Sequence, residues 1–352
     1  MSARRLRIVL AGEWRADIHE AAWATGLRAL GHVVEPFSWG DRLGGTVGRV
    51  QNRLLWGPAI WRLNAALVRT VLDSGADALL VYRGTHILPE TYRELRRLCP
   101  SLAIVSYNND DPFSTRAATG LWRHYRGSIR EWDAALVYRQ KNLADHEAAG
   151  ARRVRLVRSA FIPEKDRPVE LSAADRERLG SDVLFAGHYE PDGRERFLLA
   201  LADAGVRVRL MGPEWNRLPP ELVARLRPEP APRGEDYVRA VAGTRIALCF
   251  LSTLNNDTYT RRCFEVPAIG TMLLCQRTAE MESLFSPGVE ADYFSTPEEL
   301  VEKIQTYLAD DGRRLAIATA GHAKVRSAGH DIYSRMREVE AVLLECMEGR
   351  VQ

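Results

Sequence analysis

Lysine is nearly absent: of 49 basic residues only Lys141, Lys165, Lys303 and Lys324 are lysines. Against 46 acidic residues the formal net charge is +3, far from the dense basic stripe of a nucleic-acid surface, so no nucleic-acid partner is expected. A chain so rich in arginine also makes any single arginine uninformative by itself. Cysteine is sparse and odd in number: Cys99, Cys249, Cys263, Cys275 and Cys346 stand far apart, mostly in apolar surroundings and without zinc-type spacing. That excludes a disulfide framework and fits reduced core thiols, with no metal expected. No apolar run approaches the roughly 20 residues of a membrane helix. The run 8–12 behind Arg4, Arg5 and Arg7 is too short for a signal peptide and is ended by Glu13. The expected location is the cytoplasm. Repeats, heptads and low-complexity tracts are also missing.

What the sequence does have is length and rhythm. Its 352 residues exceed the size of a single core, and two domains are the natural division. Short β-rich apolar runs recur at 6–11, 32–37, 77–82, 102–107, 133–138 and 154–159, separated by helix-length segments such as 17–30 and 89–98. Runs apolar enough to be buried on both faces, spaced by helices, predict a parallel sheet covered on two sides. The polar stretch 163–181 holds two prolines and no strand pattern, and reads as a linker. The rhythm then restarts at 182–187, 206–212, 245–251 and 271–275, with helices predicted over 193–204, 258–269 and 297–308 and a long C-terminal helix from Ile332. This is α/β with two Rossmann-like, doubly wound domains, 1–165 and 180–330, whose strand C-termini are expected to face a shared cleft. Ile332, Met336, Val339, Leu343 and Cys346 recur at helical spacing, the apolar stripe with which the segment 331–352 would dock back on the first domain.

The stretch TRRCFEVPAIGTMLLC, 260–275, places three charges beside a buried strand. Asp257 or Thr258 can cap a helix there, leaving first-turn N–H groups free for an anion. Helical spacing brings Glu265 within reach of both Arg261 and Arg262, either as a surface pair worth a few tenths of a kcal/mol or as part of a binding site. Pro267 predicts a kink or a short helix.

The pieces LNND (254–257), TRRCFEVPAIGTMLL, LFSPGVE (284–290) and RRLAIATAGHAKV (313–325) resemble the C-terminal domain of CgeB-like glycosyltransferases of the GT-B fold. YRG (82–84), NNDDPFS (108–114), WDAALVYRQKNL (132–143) and AGARRVRLV (149–157) are similar to the same family's first half, so nearly the whole chain is covered. The resemblance implies transfer of a sugar from a UDP-, GDP- or dTDP-linked donor to a glycan, protein or small-molecule acceptor. It implies that Glu265 binds the donor ribose and a nearby arginine the diphosphate, with Tyr259, Arg261 and Arg262 as donor contacts. No Asp-x-Asp pair follows a strand of the second domain, which fits a metal-independent reaction. Gly187, His188 and Arg194 in AGHYEPDGRERF, and Gly212 and Pro213 in LMGPEW, mark two further strand ends for the donor. On the acceptor side the candidate bases are Asp110 and Asp111 in NNDDPFS and Glu13 and His19 after the first strand, since an acceptor hydroxyl must lose its proton as it attacks. Trp14, Trp56, Trp61, Trp122 and Trp132 offer rings on which an acceptor could stack. A nucleotide-sugar epimerase or hydrolase, and a non-catalytic scaffold, are the rival readings.

Overall fold

A computed structural model describes residues 4–116 and 119–351. The chain divides into two compact units, one of Met1–Ser159 with Ile332–Gln352 and one of Ala160–Asp331. Each is built on a wholly parallel sheet, as continuous apolar runs separated by helices require.

In the first unit the strands are β1 (Arg7–Gly12), β2 (Val33–Ser38), β3 (Ala78–Tyr82), β4 (Ala103–Asn108), β5 (Ala134–Val137) and β6 (Val154–Leu156), in the order β2-β1-β3-β4-β5-β6. Every residue of β3 and β4 is buried, which explains why these runs show no polar alternation. The helices Pro58–Ser74 and Pro89–Leu98 both open on proline, whose fixed φ and missing N–H suit a first turn. The C-terminal helix Ile332–Val351 belongs to this unit, with Met336, Val339, Leu343 and Cys346 buried along its stripe.

The second sheet holds β7 (Ser181–Ala186), β8 (Val208–Met211), β9 (Thr244–Cys249), β10 (Met272–Gln276) and β11 (Asp292–Phe294), in the order β11-β10-β9-β7-β8. The three-residue β11 has no counterpart among the sequence expectations, because Asp292 breaks its apolar pattern. That carboxylate is buried and accepts from Lys303 Nζ at 2.9 Å and the Tyr307 hydroxyl at 2.6 Å. The stretch read as a linker is ordered structure: it contains the helix Ala173–Leu179 and the start of β7, and its Asp166 is fully buried. Most of its polar side chains are exposed, and Asp166 alone among its charges is buried, in a charge network described below.

The predicted helix over 258–269 is shorter, Arg262–Ile269, and Gly270 at φ +94° ends it. Asp257 and Thr258 do not cap it; the Thr258 hydroxyl instead donates to Glu280 at 2.5 Å. Both sheets reverse their winding after the first strand, between β1 and β3 and between β7 and β9. Ligands of such sheets sit outside the strand C-termini at that point.

Candidate functional site

In the second unit a cavity of about 180 Å³ opens where β7 and β8 end, walled by Gly187, His188, Gly212, Pro213, the Ala231–Pro232 loop, Tyr237 and Arg262. Its shape depends on two loops lying against each other. The Gly212 N–H donates to Glu229 O, the Tyr189 N–H to Pro213 O, and the Trp215 indole N–H to Gly187 O at 2.9 Å. A Cβ on Gly212 would stand 2.0 Å from the Gly187 carbonyl oxygen, so only glycine permits this approach. The volume is below that of whole-ligand pockets, about 300–1,000 Å³, and suits one end of an extended ligand.

Arg262 is the one cation in the cavity wall, and it is unspent. It is half-buried, its Nε is buried without a partner, and among the described residues its guanidinium meets no carboxylate. A guanidinium half withdrawn from water and met by no carboxylate is open to a charge-assisted contact with an anion. The rest of the charged trio turns elsewhere. Arg261 and Glu265 form the i,i+4 pair that helical spacing allows, but inside the protein: Glu265 is 4 % exposed. Arg261 also meets the buried Asp166, and the Tyr237 hydroxyl donates to the second oxygen of Glu265. Both Glu265 oxygens are therefore occupied within the chain, and Glu265 touches the cavity only through Tyr237.

The helix start does not offer free amides. Arg262 N–H donates to Thr260 Oγ1, Cys263 N–H to Thr260 O, and Phe264 and Glu265 N–H to Arg261 O. The expected anion half-site at these amides is thus closed, and the arginine side chain alone remains for an anion. Tyr259 does not line the cavity either: its side chain is fully buried, edge-on to Phe264 with ring centroids 5.6 Å apart. Arg194 is likewise committed inward. Its Nε donates to Asp192 at 2.8 Å, its Nη1 to His188 O at 2.7 Å, and it is 4 % exposed, which leaves it no reach to a phosphate. Glu190, buried beside it, accepts from His188 Nε2 at 2.7 Å and from the Ser252 hydroxyl at 2.6 Å. Burial pushes its carboxyl up, but these hydrogen bonds and Arg194 outweigh that and hold it below the ordinary value.

The first unit gathers its candidates on the ends of β1, β3 and β4. His19 Nδ1 lies 3.1 Å from the Tyr82 hydroxyl, and Arg83 reaches Asp110 at 2.7 Å. Tyr82 and Tyr107 are cross-strand neighbours with ring centroids 5.0 Å apart. Burial raises the Tyr82 hydroxyl well above its ordinary pKa, so it keeps its proton. Glu13 pairs with the exposed Arg15 at 3.2 Å. Asp111 is corrected to a structural role. It is fully buried, accepts from Phe113 N–H at 2.9 Å and Asn142 Nδ2 at 2.8 Å, and so closes an Asp-Pro turn instead of meeting an acceptor. Trp122 and Trp132 are core residues, whereas Trp56 and Trp61 are exposed.

Residues 194–341 match a family model described as glycosyl transferase-like. The match spans less than half of the chain. No curated protein matches the chain. Among solved structures, a glycosyltransferase from Rickettsia africae is similar at a TM-score of 0.70 and 11 % identity, covering 98 % of this chain and 99 % of that one. Sucrose-phosphate synthase from Thermosynechococcus elongatus gives 0.71 at 12 % identity, covering 98 % and 100 %. The Anabaena protein HepE in complex with UDP and glucose gives 0.69 at 15 % identity, covering 97 % and 100 %. The fold is GT-B.

The cavity in the second unit also has wall residues that the sequence did not disclose. Tyr237 and the Ala231–Pro232 loop complete the cavity, and the only trace of them beforehand is the proline-rich run EPAPRG, 229–234. Glu20 in the first unit was missed as well: 3 % exposed, it accepts the Glu13 N–H at 2.7 Å and fixes the loop that carries Glu13. As metal ligands, the described residues gather one group, the buried thiols of Cys249, Cys263 and Cys275 with their sulfurs within 4.8 Å of one another. They sit on β9, on the Arg262 helix and on β10, and sequence spacing could not bring them together.

Proposed function

We propose that the protein moves a sugar from a nucleotide-diphosphate donor to an acceptor hydroxyl, the donor's pyrophosphate being met by Arg262. The single observation that supports this most is a half-buried guanidinium, met by no carboxylate among the described residues, in the wall of a cavity at the ends of β7 and β8. As the glycosidic bond breaks, the leaving diphosphate gains negative charge, and a charge-assisted, bidentate contact from Arg262 stabilises it. Tyr237 and Pro213 flank the space for the other end of the nucleotide. Glu265 acts on the donor through Tyr237 in this reading, not by direct contact.

The acceptor is assigned to the first unit. His19, aligned by Tyr82, and Asp110, held by Arg83, are the two candidate bases for its hydroxyl. In the tautomer whose Nδ1–H donates to the Tyr82 oxygen, the lone pair of His19 is on Nε2, as proton abstraction needs. Similar solved structures, HepE in complex with UDP-glucose and a trehalose-6-phosphate protein of E. coli bound with UDP-2-fluoro glucose, support a UDP-linked sugar as the donor. The motif pieces in both halves support a place in the CgeB-like group, and a metal-independent reaction in the bacterial cytoplasm completes the reading. No helix among the described residues is long and apolar enough to cross a membrane.

The test is a thermal-shift panel of UDP, GDP, dTDP, ADP and CMP, in which ligand at about 100 times its Kd adds roughly 2.7 kcal/mol. A response to UDP supports the reading, and no response to any nucleotide favours a non-catalytic scaffold. Product analysis separates transfer from epimerisation or hydrolysis of the same donor. Transfer unaffected by a chelator supports metal independence. Loss of turnover at unchanged donor affinity in His19→Ala or Asp110→Asn identifies the base.

A further inference from the structure

Between Asp41 and Asp73 the chain has no acidic residue and five arginines. This segment folds as two helices, Gly45–Leu54 and Pro58–Ser74, joined by a short turn in the first unit. Five of its large apolar side chains face solvent: Val50 (54 %), Leu54 (57 %), Trp56 (58 %), Trp61 (48 %) and, near the far end of the second helix, Leu72 (43 %). The first four lie around the turn between the two helices. Val50 and Leu54 are four apart on the first helix, and the two indoles meet edge to face with centroids 5.4 Å apart. Arg49 and Arg53 lie beside them at the same spacing, with Arg62 next to Trp61. All three are exposed, and none meets a carboxylate among the described residues.

The turn is held firmly from behind. Arg123 donates to the carbonyls of Leu54 and Leu55, His124 Nε2 contacts Leu55 O at 2.8 Å, and Gln51 Oε1 accepts the Ala59 N–H at 2.6 Å. Asn52 is tied to His86 Nε2 at 2.5 Å. Fixing the turn in this way displays the tryptophans outward when either could fold back onto the core.

We propose that this face docks on an anionic lipid bilayer. Exposed Trp and Leu edged by unpaired arginines is the composition of helices that lie in the membrane interface, where indoles sit at headgroup level. The absence of any acidic residue between Asp41 and Asp73 makes the charge of this face one-signed and complementary to an anionic surface. The arginines supply attraction to phosphate headgroups, worth about fivefold in affinity each, and the apolar side chains supply insertion.

The experiment is co-sedimentation of the full chain with vesicles of phosphatidylcholine plus phosphatidylglycerol and with phosphatidylcholine alone. Binding to the anionic vesicles only, weakened by salt, is expected. Trp56→Ala with Trp61→Ala should abolish it, and Arg49→Gln with Arg53→Gln and Arg62→Gln should reduce it on the order of 100-fold. Melting temperature and nucleotide response should stay at the wild-type level in both variants, so failure here leaves the donor reading intact and failure there leaves this one. Should the tryptophan pair fail to fold, Leu54→Gln alone provides the same test. Equal binding to both vesicles, no binding to either, or a dimer in size-exclusion chromatography that the tryptophan variant dissolves would overturn the proposal.

Discussion

The two sheets solve one geometric problem with opposite electrostatics. Each ends its first strand near a glycine and places a buried glutamate just beyond, Glu20 after β1 and Glu190 after β7. Glu20 accepts the Glu13 backbone N–H, and burial raises its pKa. Glu190 accepts from His188 and Ser252 beside Arg194, and stays below its ordinary value. The arginines differ in the same sense. Arg83 has a carboxylate at 2.7 Å, whereas Arg262 has none among the described residues. The Nε of both is buried without a partner, so what sets Arg262 apart is that no carboxylate among the described residues meets its guanidinium in the cavity wall. That contrast predicts which residue can be removed without harm to stability.

The largest effect should come from Arg262→Gln. Nucleotide affinity is expected to fall on the order of 100-fold or more, as two charge-assisted hydrogen bonds of about 1.5–3 kcal/mol each are lost. Its melting temperature should hold, because no protein partner is abandoned. Arg83→Gln should show the reverse, a lower melting temperature at unchanged nucleotide affinity. Isothermal titration and thermal melting of the two variants read both halves of the comparison, and equal affinity losses would erase it.

The first unit has a second internal group whose charge the fold refuses. His86 is buried between Asn52 and Thr85 and stacks on Trp39, and burial with Arg83 nearby lowers its pKa to about 4. Below pH ~6.5 the unfolded chain therefore takes up a proton that the native one declines. Stability should fall as pH drops from ~6.5 to ~4, by up to about 3 kcal/mol at 1.36 kcal/mol per pKa unit. Denaturant melts across that range check it, and His86→Gln should flatten this part of the slope.

Two glycines sharpen the comparison at smaller cost. A Cβ on Gly212 meets a backbone oxygen at 2.0 Å, whereas one on Gly12 meets the Glu20 side chain at 2.3 Å. Backbone cannot step aside without parting the two loops. Gly212→Ala should cost about 2 kcal/mol and weaken nucleotide binding with it, in the range of overpacking changes. Gly12→Ala should cost less if Glu20 rotates, and leave the nucleotide response alone. Paired melts with and without nucleotide separate the two.

The fold was largely legible because burial on both faces is written into runs such as ALLVY and AIVSYN, and glycine and proline mark the breaks. β11 escaped because Asp292 is buried by partners far along the chain, Lys303 and Tyr307. The site was legible only as a neighbourhood. Spacing put Glu265 within reach of both arginines, and nothing local could say that Arg261 would be claimed by Asp166, 95 residues away, while Arg262 would not. Arg194 misled for the opposite reason: its partners Asp192 and Glu190 stand two and four residues before it, and the strand-end pattern drew attention to a phosphate instead of to them.

The smallest expected effect tests how Glu265 acts. Tyr237 has its hydroxyl pushed up to about 12 by burial, so it donates to Glu265 throughout the working range. Tyr237→Phe keeps the ring in the cavity wall and removes only that hydrogen bond, at about 1 kcal/mol of stability. If Glu265 positions the tyrosine, nucleotide affinity should drop only a few-fold in this variant and no further in the double variant with Glu265→Gln. A much larger loss from Glu265→Gln alone would mean that the carboxylate leaves Tyr237 and takes the ribose itself when donor arrives, and the two units would then differ in mobility as well as in charge.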